Sequence, residues 1–213
     1  HTLTLLRFTY KKLKEKLTVS DSKKLFHEQF PYVIPGLYKR IVDEILVELN
    51  LLNHQNEFKQ DYLFCIGLTE MFKEFMQDYN PSMHLDLLFE SLCKSTNFEA
   101  EEIKEISRKS LERFKDKSVE ETFKLLEERK NSKPYSSRIL NIGIYLIISQ
   151  CKDFEETNKS EMSQVISDVF EKLNLSVSKA EKDIGIYKTS IKKMEQAKEL
   201  IEELRIKGKK DGK

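Results

Sequence analysis

Residues 178–207 read SKAEKDIGIYKTSIKKMEQAKELIEELRIK, with no proline, one internal glycine at 185 and no stop before Gly208. Ser178-Lys179-Ala180-Glu181 has the spacing of a capping box, in which a serine side chain and a glutamate three residues on satisfy each other's backbone N–H groups. Apolar positions Val177, Ala180, Ile184, Tyr187, Ile191 and Met194 then follow three-four spacing. As a helix these thirty residues would span about 45 Å at about 1.5 Å per residue. The next heptad position is Lys198, and the apolar series continues only by shifting to Ala197, Ile201 and Leu204. The first half is therefore expected to pack on the body, and the second half to project from it or to pair with another helix.

Working back through the chain gives more helices of the same kind. From Gly36 to about Gln55, Leu37, Ile41, Ile45, Leu49 and Leu52 fall on one helical face. A helix over 61–79 places Phe64, Leu68, Met71, Phe72, Phe75 and Tyr79 together, and its apolar start should be buried all round. Thr18 to Asp21 and Ser118 to Glu121 are capping boxes for shorter helices. Asn80-Pro81-Ser82 is expected to cap a helix over 83–94, Asn97 one over 98–114, and Ser136 or Ser137 one over 138–152. Ser160 opens a further helix through Val165, Val169 and Leu173, and Asn131 to Tyr135 reads as a loop. Only 6 Gly and 4 Pro in 213 residues, with Lys, Glu, Leu and Ile dominant, argue against a sandwich or barrel. The fold class is all-α: a helical bundle over 18–177, a long C-terminal helix over 178–207 and a basic, disordered tail over 208–213. Residues 1–17 are expected to be an N-terminal extension, either upstream sequence or residues added to the chain.

Net charge is +1, which gives no global field for nucleic acid or an anionic membrane. Residues 1–24 nevertheless carry +5 and 179–213 carry +4, leaving −8 in the middle. Basic ends on an acidic body suit a protein that meets a surface or an acidic partner with its ends. Cys65, Cys93 and Cys151 are isolated within apolar stretches, as in buried thiols rather than a disulfide framework. The longest apolar run, Ile139 to Ile148, is too short to cross a bilayer.

Neither a Cys-x-x-Cys, a His-x-x-x-His, a glycine-rich phosphate loop nor a Gly-x-Ser-x-Gly elbow occurs, so no enzyme, metal site or cofactor is expected. RNA binding would want aromatics beside Lys188, Lys192, Lys193 and Lys198, and only Tyr187 is there. Glu48 falls between Leu37 and Ile41 on its helical wheel. Either it pairs with Arg138, the cation opening the most hydrophobic helix, or it reaches solvent at the bundle's end. A double-mutant cycle on Glu48→Gln and Arg138→Gln decides between them: coupling in unfolding free energy is the result expected of a pair, and strict additivity removes it.

Several stretches together resemble the thylakoid formation proteins, photosystem II biogenesis factors of cyanobacteria and chloroplasts. They are Thr18 to Lys23; Tyr38 to Leu52; Leu63 to Leu68 with Phe72 and Tyr79; Tyr135 to Arg138 with Gly143; and Lys182 to Tyr187 continuing to Met194, Gln196 and Ala197. The match runs in order over roughly residues 18 to 204. Gly185 and Ile186 stand where the family has a leucine and a more polar residue, and Thr189-Ser190-Ile191 replaces a pattern rich in Asn and Leu. The resemblance implies a helical, non-enzymatic protein held peripherally at thylakoids, on the cytoplasmic (stromal) side, and needed for photosystem II assembly or repair. It implies as partner the FtsH-type membrane protease, whose complexes the family helps accumulate, and a coiled coil in the C-terminal helix. Carried over by similarity are Asp183, Tyr187, Met194 and Ala197, with Lys198 beside them, as partner-binding residues, and Glu44, Glu48 and Arg138 in the body. A cyanobacterial chain and a monomer are expected. The competing reading is a peripheral membrane-surface protein acting through its basic C-terminal helix.

Overall fold

In the computed structural model, residues 16–128, 136–154 and 159–211 are described, which leaves most of the N-terminal extension, the expected loop at 131–135 and the last two residues outside. Among the described residues there are nine α-helices and no strand. They are α1 (Val19–Gln29), α2 (Gly36–His54), α3 (Tyr62–Phe75), α4 (Leu85–Ser95), α5 (Ala100–Phe114), α6 (Val119–Glu127), α7 (Arg138–Ser149), α8 (Lys159–Lys172) and α9 (Val177–Asp211).

The chain divides into two compact units where the sequence suggests one bundle. The first takes the described residues up to Phe58 together with Tyr79–Glu101; the second takes Lys59–Asp78 and everything from Glu102 onward. Hydrophobic periodicity shows which face of a helix is buried but not which other face covers it, so the division is invisible in any single stripe.

In the first unit α1, α2 and α4 pack on one another through Phe26, Val42, Leu46, Leu49, Leu88 and Leu92, all buried. Asn50, 3% exposed, donates from Nδ2 to the Leu17 carbonyl and the Ser22 hydroxyl, both at 2.8 Å, which fastens α2 to the start of α1. In the second unit α3 lies along α7, and α7 along α9. The α3–α7 crossing is close because glycine stands on both sides. A Cβ on Gly67 would sit 3.0 Å from the Ile139 carbonyl carbon and closer still to its oxygen, and one on Gly143 would sit 2.5 Å from the Leu63 carbonyl oxygen. Leu63, Ile66, Leu140, Ile144, Ile148 and Phe170 fill the surrounding core.

Helix ends follow the expected chemistry in most places. Thr18/Asp21 and Ser118/Glu121 form complete capping boxes, and Ser137 Oγ accepts from the Leu140 N–H at 3.1 Å. Three expectations are corrected. Asn97 is not at the N-cap position of α5, which starts at Ala100; with φ 65° it closes α4, whose last turn is completed by Asn97 N–H to Lys94 O and Phe98 N–H to Cys93 O. Asparagine suits an N-cap and a left-handed C-terminal position alike, and here the second use wins. Ser82 does not cap α4 either, since a 3₁₀ turn over Ser82–His84 precedes it without a side-chain cap. Finally α9 starts one residue before Ser178, with Ser176 Oγ accepting from the Lys179 N–H at 3.3 Å, and its backbone continues past Gly208 to Asp211. One interior glycine costs a helix only about 1 kcal/mol, which a run of good helix formers around it tolerates.

Candidate functional site

The long helix α9 divides as its stripe foretells. Ala180, Ile184, Tyr187 and Met194 are buried, Ile191 and Ala197 are half-buried, and from Glu199 to Lys207 every residue is exposed. The shift of register after Met194 marks the place where the helix stops packing on its own unit.

The packed half is fixed by polar contacts as well as apolar ones. Asn141, fully buried on α7, donates from Nδ2 to Asp183 Oδ2 at 2.8 Å and accepts from Ser136 Oγ at 3.0 Å. Lys179 Nζ donates to the Ser136 carbonyl at 2.8 Å, so the start of α9 is tied to the start of α7. The Tyr187 hydroxyl donates to Glu74 Oε2 on α3, while its ring meets Phe75 edge-on with centroids 5.5 Å apart. Burial and the Glu74 carboxylate push the Tyr187 phenol well above its ordinary value, so it stays protonated and able to donate. A pKa raised by folding contributes stability below the unfolded value of 10.0 and loses it as pH rises further, so this seam loosens only in strong alkali. Lys188 Nζ lies 4.6 Å above the Tyr145 ring, and burial lowers its pKa. One turn beyond Met194, Lys198 Nζ pairs with Asp78 Oδ2 at 2.7 Å.

Of the residues named for partner binding, Asp183, Tyr187 and Met194 are thus 9%, 4% and 7% exposed and contribute to the internal seam. Lys198 is held by Asp78 at the rim of a cleft of ≈ 250 Å³ lined also by Glu74, Phe75 and Met194. Asp183→Ala would leave the Asn141 amide without its acceptor inside the core. A loss of about 1 to 3 kcal/mol in unfolding free energy is expected, measured by denaturant titration. In the body, Glu44 accepts from Arg40 Nε at 2.8 Å, and Glu48 and Arg138 are each half-buried, in the first and second unit respectively.

The open half carries what sequence reasoning undervalued. Leu200, Ile201, Leu204 and Ile206 are 57%, 55%, 60% and 47% exposed, four large apolar side chains within two turns of helix. Ile201 and Leu204 were legible as the shifted series, but the adjacent Leu200 widens it into a face, while Ile206 lies on the other side of the helix.

Cys65, Cys93 and Cys151 are buried, and desolvation, with Asp61 and Glu102 nearby, pushes the Cys65 thiol up to about 12, far from a thiolate nucleophile. Among the described residues no group of three or more His, Cys, Asp or Glu side chains could hold a metal ion, and no helix is long and apolar enough to cross a membrane.

Comparison with known proteins supplies the context for this helix. The family model of the thylakoid formation protein matches residues 18–213. The chain belongs to that family. Protein Thf1 of Prochlorococcus marinus strain MIT 9312 is 74% identical over 198 residues, covering 93% of this chain and 98% of the relative. Thf1 of P. marinus subsp. pastoris is 67% identical over 201 residues, 94% of this chain and all of the relative. A solved structure of Psb29 superposes with a TM-score of 0.79 at 25% identity, over 92% of this chain and 98% of that one. The resemblance read in the sequence therefore holds, as does the all-α class with its long C-terminal helix. The thylakoid formation proteins are named for a role in making a membrane system and not for a reaction, and the relatives support the cyanobacterial origin.

Proposed function

We propose that the chain is a non-enzymatic factor for photosystem II biogenesis and repair that works by binding and stabilising an FtsH-type membrane protease, peripherally, on the cytoplasmic side of the thylakoid. The last turns of α9 are its docking element. The observation that carries this reading is the exposed face of Leu200, Ile201 and Leu204, continued toward the body by half-buried Ala197, which a water-facing helix has no reason to hold together. An amphipathic helix of this kind is recognised by laying its apolar side into a groove.

Two competing occupants fit less well. A self-paired coiled coil wants roughly three or four heptads, and this face spans only residues 197–204. An anionic lipid surface would meet Arg205, Lys207, Lys209, Lys210 and Lys213 together with Glu199, Glu202, Glu203 and Asp211, a net charge of only +1 over residues 199–213. Family membership supports a thylakoid role.

The test is copurification of the tagged chain from detergent-solubilised thylakoids, full length beside a version ending at Lys198, at two salt concentrations. That truncation keeps Tyr187, Met194 and the Lys198–Asp78 pair, so the body is undisturbed. The protease should accompany the full chain at both salt concentrations and be lost from the shortened one. Equal recovery with both chains would refute docking through these turns.

A further inference from the structure

Two loops of the first unit stand out in a chain that is 34% charged. Residues 29–38, QFPYVIPGLY, and 79–85, YNPSMHL, contain no Asp, Glu, Lys or Arg. Of the comparable charge-free runs, 62–69 and most of 139–151 fall on α3 and α7 in the core, and 49–56 ends α2, where Leu51 is 51% exposed. The two loops expose more. Val33 is 91% exposed, Met83 83% and Tyr32 47%.

The loops are held side by side. The Tyr32 ring stacks on His84 with centroids 3.8 Å apart and planes at 19°, and Phe30, buried beneath, meets both rings edge-on at 5.5 and 6.2 Å. Proline at 31, 35 and 81 further restricts the backbone on both sides of the stack. An aromatic clamp therefore holds up one aliphatic side chain from each loop, Val33 beside Tyr32 and Met83 beside His84.

We infer that this clamp is a membrane-contacting face, with Val33 and Met83 entering the interfacial layer of a bilayer of uncharged head groups and Tyr32 at head-group level. Three properties favour lipid over a protein partner. The side chains sit on loop tips and not in a groove, so they need no complementary pocket. With no charged side chain in either loop, insertion desolvates no full charge and does not depend on anionic lipid. Tyrosine beside aliphatic tips is the arrangement met where protein enters the membrane interface. Two small apolar groups bury little area, so the attachment is weak and reversible.

Flotation of the full-length protein with phosphatidylcholine vesicles, free of any other protein, tests this apart from the protease reading. Wild-type protein should float with the vesicles equally at low and high salt. Val33→Asp/Met83→Asp should reduce the bound fraction about ten-fold, and Val33→Ser/Met83→Ser should reduce it less. Thermal unfolding should be unchanged in both variants, since neither residue is packed. Flotation unaffected by the substitutions, or seen only with anionic lipid and lost in salt, overturns the inference. So does loss of a copurifying protein from the variants while flotation persists, because the loops would then be covered by protein.

Discussion

Gly67→Ala should destabilise the protein by about 3 kcal/mol or more, the upper end of what overpacking costs. The added methyl would press on the backbone carbonyl of Ile139, and backbone in the middle of a core helix cannot step aside as the end of a flexible side chain can. Relief requires α3 and α7 to separate, which opens the contacts among Leu63, Ile66, Leu140 and Ile144. Against a total of roughly 5 to 15 kcal/mol for a domain, that is a large share. Gly143→Ala meets the same carbonyl-lined crossing from the other side and should behave similarly. Gly185→Ala is the internal control. Nothing lies within 4 Å of the point its methyl would occupy, so the exposed helix should gain about 0.5 to 1 kcal/mol. Urea titration of the three variants measures all of this; a harmless Gly67→Ala would mean the crossing is looser than described.

Leu200→Glu/Leu204→Glu should have the second large effect, on binding and not on folding. Both residues are more than half exposed and lie beyond the last buried position of α9, Met194. Unfolding free energy should therefore stay within about 0.5 kcal/mol of wild type, as for ordinary surface changes. If these turns lie in an apolar groove of the protease, two buried carboxylates would cost the complex several kcal/mol and reduce copurification by about a hundred-fold or more. A variant at Lys192, exposed on the packed half of the helix, should leave recovery unchanged.

Much of this architecture was legible because it is local. The Thr18/Asp21 and Ser118/Glu121 boxes are complete within four residues, and the break in α9 is written in the replacement of a heptad position by Lys198. Failures arose where one residue type serves two purposes, as at Asn97, or where two candidate serines stand near each other, as at Ser176 and Ser178. The division into two units was hidden because it depends on which buried faces meet. The candidate site was half visible. Asp183, Tyr187 and Met194 were singled out by family resemblance, and their contacts with Asn141, Glu74 and the cleft beside Phe75 show that they hold α9 in place. The open face at 200–204 needed exposure as well as spacing. Tyr32, Val33 and Met83 were missed because stretches beside prolines read only as breaks between helices, and only the fold shows that their apolar side chains are turned outward together.

The most direct test of the central claim is site-specific photocrosslinking in thylakoids, with a photoreactive side chain placed at position 201 in one protein and at position 192 in another. Docking through the last turns predicts a crosslink to the FtsH-type protease from position 201 and none from position 192. A crosslink from neither position, or from 192 alone, would contradict it.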